Sequence, residues 1–250
     1  KTLSISPSTQ GLPYFEPMPD VDGDGRDDYL FGVPNQFVKG GGDVITYFTG
    51  TLPARVELHS GATHSLLLKL ERPAGSFGVQ MTQLGDLDGD GKADFGCGNR
   101  HLDGGTYLGT TGFRTYSSAT GQELWATPFQ VFASTMVGDV DGDGVADVAH
   151  GSGLNVIVRS GANGAYLWGS EVKPGSDLMG AAVGAMDFNG DGLLDVLAGG
   201  YKWIGGGSST NGPGYAEILD GATGQVLYRV DGDAESVVLG AGVIPMGDTN

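Results

Sequence analysis

The chain has 250 residues, 39% of them hydrophobic, with a single cysteine and a formal net charge of −17. No apolar run approaches the ~18 residues of a membrane-spanning helix, no basic stripe exists to neutralise phosphates, and one cysteine closes no internal disulfide. A helical membrane span, a nucleic-acid partner and a disulfide-stapled fold are therefore excluded, and the 47 glycines, lacking a Gly-X-Y period, exclude collagen.

The sequence begins with lysine and carries no visible signal peptide, so it reads as a processed product or a piece of a longer chain. Its first distinctive segment is Asp20-Val-Asp22-Gly-Asp24-Gly-Arg26-Asp-Asp28, with oxygen donors at positions 1, 3, 5 and 9 and glycine at 4 and 6. Alternate residues of a tightly curled loop point inward, so the carboxylates converge, and the glycines permit the turn's positive dihedrals. Two carboxylates about 4 Å apart repel by roughly 4 kcal/mol at an effective dielectric near 20. Four in one loop call for a hard cation, and calcium fits better than magnesium with its stricter octahedron. The expected ligands are Asp20, Asp22, Asp24 and Asp28, with Arg26 contributing only its backbone carbonyl. Tyr29-Leu-Phe31 then reads as a strand. An insertion over 33–55 holds Phe37, Tyr47 and Phe48, and Ser60-Gly-Ala-Thr63-His64 reads as a tight turn.

The same order then returns. A strand is predicted over 77–85, followed by the loop Asp86-Leu-Asp88-Gly-Asp90-Gly-Lys92-Ala-Asp94, a strand over 94–97 and an insertion with Tyr107. A strand over 113–117, the turn Ser117-Ser-Ala-Thr120-Gly121 and a strand over 122–125 complete this unit. The third loop is Asp139-Val-Asp141-Gly-Asp143-Gly-Val145-Ala-Asp147, with strands at 148–149 and 156–159 and the turn Ser160-Gly-Ala-Asn163-Gly164. The fourth is Asp187-Phe-Asn189-Gly-Asp191-Gly-Leu193-Leu-Asp195, then strand 196–198, an insertion with Tyr201 and Trp203, strand 215–219, the turn Asp220-Gly-Ala-Thr223-Gly224 and strand 225–228. An opening strand is expected over 237–246, and Asp248-Thr-Asn250 begins a fifth loop, a partial site of Asp248 and Asn250.

About four calcium sites follow, with a partial fifth. Their side-chain ligands are Asp86, Asp88, Asp90 and Asp94, then Asp139, Asp141, Asp143 and Asp147, then Asp187, Asn189, Asp191 and Asp195; Lys92, Val145 and Leu193 add carbonyls. Four divalent ions would bring the net charge from −17 to −9, so the acidity is largely a metal signature. An EF-hand needs a helix and an acid at position 12, where this chain has Phe31, Cys97, His150 and Ala198.

First ligands at 20, 86, 139, 187 and 248 are spaced 66, 53, 48 and 61 residues apart, a period of stacked supersecondary units. Four antiparallel strands per repeat make a blade, and blades in a ring make an all-β propeller; a solenoid or a string of sandwiches is the alternative. One propeller domain, or a portion of it, is expected over 1–250, with blades near 10–72, 73–128, 129–175 and 176–232 and a partial one over 233–250. The open edge invites self-assembly.

These residues resemble the FG-GAP (VCBS-like) repeats of integrin-α-type propellers and many bacterial surface proteins. The Asp-x-Asp-Gly-Asp-Gly-x-x-Asp loop carries the resemblance, Phe77-Gly78 matches its opening, Met179-Gly180 and Leu239-Gly240 are weaker versions, and Phe132-Ala133 departs at the glycine. The family's Gly-Ala-Pro element survives only as Gly32-Val33-Pro34. The resemblance implies calcium in the loop between the first and second strands of each blade.

Strand alternation puts the metal loops and the tight turns on one face and the insertions on the other, where binding usually resides; packing of the insertions over the blade is the competing use. Among His59, His64, His101 and His150 no catalytic constellation emerges. Thr120-Gly121-x-x-x-Trp125 and Asn163-Gly164-x-x-x-Trp168 resemble the tryptophan-docking repeats of quinoprotein propellers, with Thr223-Gly224-x-x-x-Tyr228 a weaker copy. That repeat is structural in its family. The expected function is non-enzymatic: an extracellular or cell-surface, calcium-stabilised adhesion scaffold for a protein or glycan ligand at the surface or matrix. A structural module of a surface protein or fibre is the first alternative; a quinoprotein-like or polysaccharide-lyase-like enzyme is the second.

Overall fold

The computed structural model describes residues 14–34, 36–41, 44–49, 53–72, 77–99, 112–172, 179–180, 182–200, 214–233 and 239–246. Strands follow one another along the chain, and the described residues contain no helix. The first group is β1 (Tyr14–Met18), β2 (Asp28–Val33), β3 (Gln36–Gly41), β4 (Val44–Thr49), β5 (Ala54–His59) and β6 (Leu66–Arg72). The second is β7 (Phe77–Gln83), β8 (Phe95–Asn99), β9 (Phe113–Tyr116) and β10 (Glu123–Ala126). The third is β11 (Ala133–Gly138), β12 (Asp147–Gly151), β13 (Val156–Arg159) and β14 (Tyr166–Gly169); the fourth is β15 (Ala182–Met186), β16 (Asp195–Gly200), β17 (Tyr215–Leu219) and β18 (Val226–Asp231).

Each group folds into one four-stranded sheet in chain order, β1-β2-β5-β6 in the first, with β3 and β4 paired as a separate hairpin within the 33–55 insertion. All pairings are antiparallel. In every sheet, therefore, the loop joining the first two strands and the turn joining the last two emerge at the same end. The central strands carry the apolar runs: β2, β12 and β16 are buried almost throughout, and β5 alternates with Ala54, Val56 and Leu58 inward. A strand buried on both faces reads as a continuous apolar run, which is why these short stretches were legible.

The core is a series of slabs between consecutive sheets. Leu30, Val56 and Leu58 of the first sheet meet Phe77, Phe95, Cys97 and Tyr116 of the second. Phe113 and Trp125 meet Val148 and Met136 across the next junction. Val137, Ala149, Val158 and Trp168 meet Val196, Ala198 and Tyr215 across the third. Backbones also approach closely there: a methyl group on Gly151 would overlap the Gly180 carbonyl, and one on Gly32 the Gly78 carbonyl. Gly78 and Gly180 themselves have positive φ, 84° and 76°, which only glycine adopts cheaply.

Tryptophan fastens successive sheets. The Trp125 indole nitrogen donates to the Gly161 carbonyl at 2.7 Å, and Trp168 donates to Gly221 at 2.8 Å. Each ring lies over the last glycine of the same turn, Gly164 and Gly224, where a side chain would collide with it. Leu68 and Leu70 lie over Gly121 in the same manner.

Among the described residues the strand expected over 237–246 is not formed. Residues 239–246 form a turn, a bend and irregular chain rather than a strand. The segment still lies against the fourth sheet, with Gly240 over Gly199 and Pro245 over Gly184. A first strand needs the second strand of its own sheet to hydrogen-bond, and the described residues supply none. Tyr107, Tyr201, Trp203, Asp248 and Asn250 lie outside the described residues, as do the side chains of Phe37, Tyr47 and Phe48.

Candidate metal centre

Each Asp/Gly loop joins the first and second strands of its sheet, and its first aspartate organises it. Asp20 Oδ1 accepts the Gly23 and Asp24 amides at 2.7 and 3.1 Å, and its Oδ2 accepts the Gly25 amide at 2.7 Å. Asp86 and Asp139 make the equivalent three bonds. Asp187 accepts Gly190 and Gly192 at 2.7 and 3.1 Å. The glycines at positions 4 and 6 all have positive φ, from 78° to 93°. The third residue caps the amide of the fifth, as Asp22 does for Asp24, and the fifth caps that of the seventh, as Asp24 does for Arg26. Lys92, Val145 and Leu193 are held likewise by their amides. The Gly25 amide leads in holding the Asp20 carboxyl below its usual range.

The ninth residue does something the spacing did not announce. Asp28 is buried; its Oδ2 accepts the Val21 amide at 2.8 Å and its Oδ1 accepts the Gly61 amide of the tight turn at 2.9 Å. Asp94 joins Leu87 to Ser118, Asp147 joins Val140 to Gly161, and Asp195 joins Phe188 to Gly221 in the same way. The loop and the turn of each sheet are thus tied by one buried carboxylate. The first turn residue adds a second link: Ser60 Oγ donates to Asp24 at 2.8 Å and Ser160 Oγ to Asp143 at 3.4 Å.

Three loops gather three carboxylates whose ligand atoms lie within 4.8 Å of one another: Asp20, Asp22 and Asp28; Asp86, Asp88 and Asp90; Asp139, Asp141 and Asp147. Burial pushes Asp94 up to about 6 against the pull of the Ser118 and Leu87 amides, and the charges of Asp88 and Asp90 add to it. Burial likewise raises Asp147, with Asp141 contributing. A cluster built of oxygen donors alone suits a hard divalent cation. The fourth loop differs. Asn189 donates to Asp191 at 2.9 Å and reaches Asp220 at 3.4 Å, so an amide replaces one carboxylate and the turn residue Asp220 supplies another nearby.

His59 and His64 meet at one turn, and His150 lies in another sheet. His59 stacks on Tyr29 with centroids 5.5 Å apart and contacts Glu57 at 3.1 Å. His64 sits beside the same tyrosine at the exposed turn. His150 is fully buried against Phe113, with Nδ1 2.9 Å from Ser134 Oγ. His101 lies outside the described residues.

No family model matches the chain. Integrin alpha-4 of Xenopus laevis is 30% identical over 154 residues, which is 56% of this chain and 14% of the integrin. The chain thus covers a small fraction of that relative's length. Among solved structures, the V. cholerae biofilm matrix protein Bap1 aligns over 89% of this chain and 39% of its own, at 17% identity and a TM-score of 0.38. A score that low does not establish a shared fold.

Proposed function

We propose that the four sheets are FG-GAP-type blades of a β-propeller, that each Asp/Gly loop binds Ca2+, and that the whole is an extracellular, calcium-stabilised scaffold for adhesion. The observation that carries this reading is the double role of the loop. Three of the four loops bring carboxylates together for a cation, while the ninth aspartate of every loop ties it to the turn at the same end of the sheet. An ion at that point joins the end of the first strand, the start of the second and the turn between the third and fourth. The partial similarity to integrin alpha-4 supports the same reading.

In this reading Asp20, Asp22, Asp24 and Asp28 with the Arg26 carbonyl hold the first ion, and their counterparts hold the others. Rigidity at the calcium end leaves the opposite end, with the insertions over 33–55 and 201–215, to contact a protein or glycan at the surface or matrix. The blades are assigned to 10–72, 73–128, 129–175 and 176–232. A binding screen against glycan arrays and matrix proteins, run with calcium and with chelator, tests the function. Deleting 33–55 and 201–215 in turn is expected to abolish binding to at least one ligand. Full binding by both deletion variants would refute the assignment of the contact face, and no ligand at all would favour a purely structural module.

A further inference from the structure

Given the calcium reading above, on which this rests, we infer that Asp220, a residue of the tight turn and outside the loop motif, is a ligand of the fourth site, and that this site is the last of the four to fill. Two exchanges occur together in the fourth unit. In the first three units the loop carries aspartate at its third position (Asp22, Asp88, Asp141), and the turn opens with serine (Ser60, Ser117, Ser160). In the fourth, the third position is Asn189 and the turn opens with Asp220. The carboxylate lost from the loop is returned by the turn, so every unit keeps four carboxylates over loop positions 1, 3, 5 and 9 and the turn's opening residue.

The turn's opening residue is well placed for this. Ser60 Oγ donates to Asp24 at 2.8 Å and Ser160 Oγ to Asp143 at 3.4 Å, so this position faces the fifth residue of the loop. Asp220 puts acceptors there in place of a donor. Its Oδ1 accepts the Thr223 amide and hydroxyl at 2.8 and 2.7 Å, the two bonds that Ser60 Oγ accepts from Thr63. Its Oδ2 is left turned to the loop, where Asn189 Nδ2 reaches it at 3.4 Å. The same Nδ2 donates to Asp191 Oδ2 at 2.9 Å. Next along the chain, the Gly221 amide is bound to Asp195 at 2.9 Å, which fixes the turn against the loop. Two carboxylates, one from the loop and one from the turn, thus converge on a single amide that carries no charge to offset theirs. They form a pair of oxygen donors suited to a hard cation.

Asn189 sets the order of filling. Its Oδ1 accepts the Asp191 amide at 2.9 Å, as Asp22 Oδ1 does for Asp24. The other terminal atom is an oxygen in Asp22 and a nitrogen donor in Asn189. The first three loops each bring three carboxylates within 4.8 Å, and the fourth gathers no such trio among the described residues. The Asn189 amide must give up its bonds to Asp191 and Asp220 before those oxygens can turn to a cation, and a site that has to be rearranged binds more weakly than a preformed one. Falling calcium therefore empties the fourth site first. The turn released is the one whose Gly221 carbonyl accepts the Trp168 indole, so calcium concentration acts first on the junction of the third and fourth sheets.

Calorimetric titration of four proteins with calcium tests this. The wild type is expected to show three tighter sites and one weaker. D220S, whose serine oxygen can keep both Thr223 bonds as Ser60 keeps those of Thr63, should lose the weak site and retain the other three. N189D should tighten the weak site about tenfold, because calcium affinity follows the ligand charge count. N189D combined with D220S copies the first three units and should regain the fourth site. Four sites with an unchanged weakest affinity in D220S would overturn the role of Asp220 alone and leave the calcium reading standing. Four equal sites in the wild type would overturn the order of filling. A loss in D220S that N189D does not restore would place the fault in the turn and overturn ligation. A wild type that takes up no calcium would overturn the calcium reading itself.

Discussion

Asp147 accepts the Gly161 amide at 2.9 Å through one carboxylate oxygen and the Val140 amide at 2.7 Å through the other. A residue chosen from the sequence as a cation ligand is thus also the buried tie between a loop and a turn 14 positions away. Two roles in one side chain make the loop's aspartates unequal, and that inequality can be measured without any metal.

In chelator, D147A is expected to lose roughly 2–4 kcal/mol, because two buried amides lose a charged acceptor. D143A, at an exposed position of the same loop, should lose less than about 1 kcal/mol. Urea unfolding of both variants gives the comparison, and equal losses would mean that Asp147 is no tie.

Trp168 contributes a ring and a hydrogen bond separately. W168A should cost about 3–5 kcal/mol, as large aromatic truncations in cores do. W168F keeps most of the packing but strands the Gly221 carbonyl, at about 1–2 kcal/mol. Unfolding midpoints that rank W168A, W168F and wild type in that order support the docking role.

Two glycines should answer differently to one methyl group. On Gly151 it would overlap the Gly180 carbonyl, so G151A must push the backbones of neighbouring sheets apart and should cost about 3 kcal/mol or more. On Gly23 it meets open space, leaving only the strain of φ 79°, about 1–2 kcal/mol. Denaturant midpoints of both variants decide this.

His150 gives the fold a pH dependence of known sign. Burial, helped by the charge of Arg159, pushes its imidazole down to about 3. Unfolded histidine titrates near 6.5. Below about 6.5 the unfolded chain gains a proton that the native chain refuses, so stability falls on acidification between about 6.5 and 3, by at most about 1.4 kcal/mol per pH unit. Unfolding at pH 7 and pH 5 should show a smaller loss for H150L than for wild type; parallel losses would contradict the buried neutral state.

The strands and turns were legible because short apolar runs bounded by glycine, and a turn repeated in step with the loops, leave few other readings. Tyr215–Leu219 and Val156–Arg159 stand as expected. The segment over 237–246 carried the same local pattern without a pairing partner, and pairing is a property of the sheet. The spacing of each loop predicted convergence of residues 1, 3 and 5; the second loop gathers Asp86, Asp88 and Asp90 so, whereas the first and third gather residues 1, 3 and 9. The ties of Asp28, Asp94, Asp147 and Asp195 were not legible, because Gly61 and its counterparts lie 14 to 33 residues further on. The tryptophan-and-turn motif was visible within single units, but its contacts cross from one sheet to the next, which only the assembled fold reveals.

Calorimetric titration with calcium, paired with a thermal melt in chelator, tests the central claim most directly. At calcium 100-fold above its dissociation constant each independent site adds about 2.7 kcal/mol. About four sites should appear in the titration, and the melting temperature should fall steeply in chelator and return when calcium is restored. A flat titration with an unchanged melt would contradict the calcium staple.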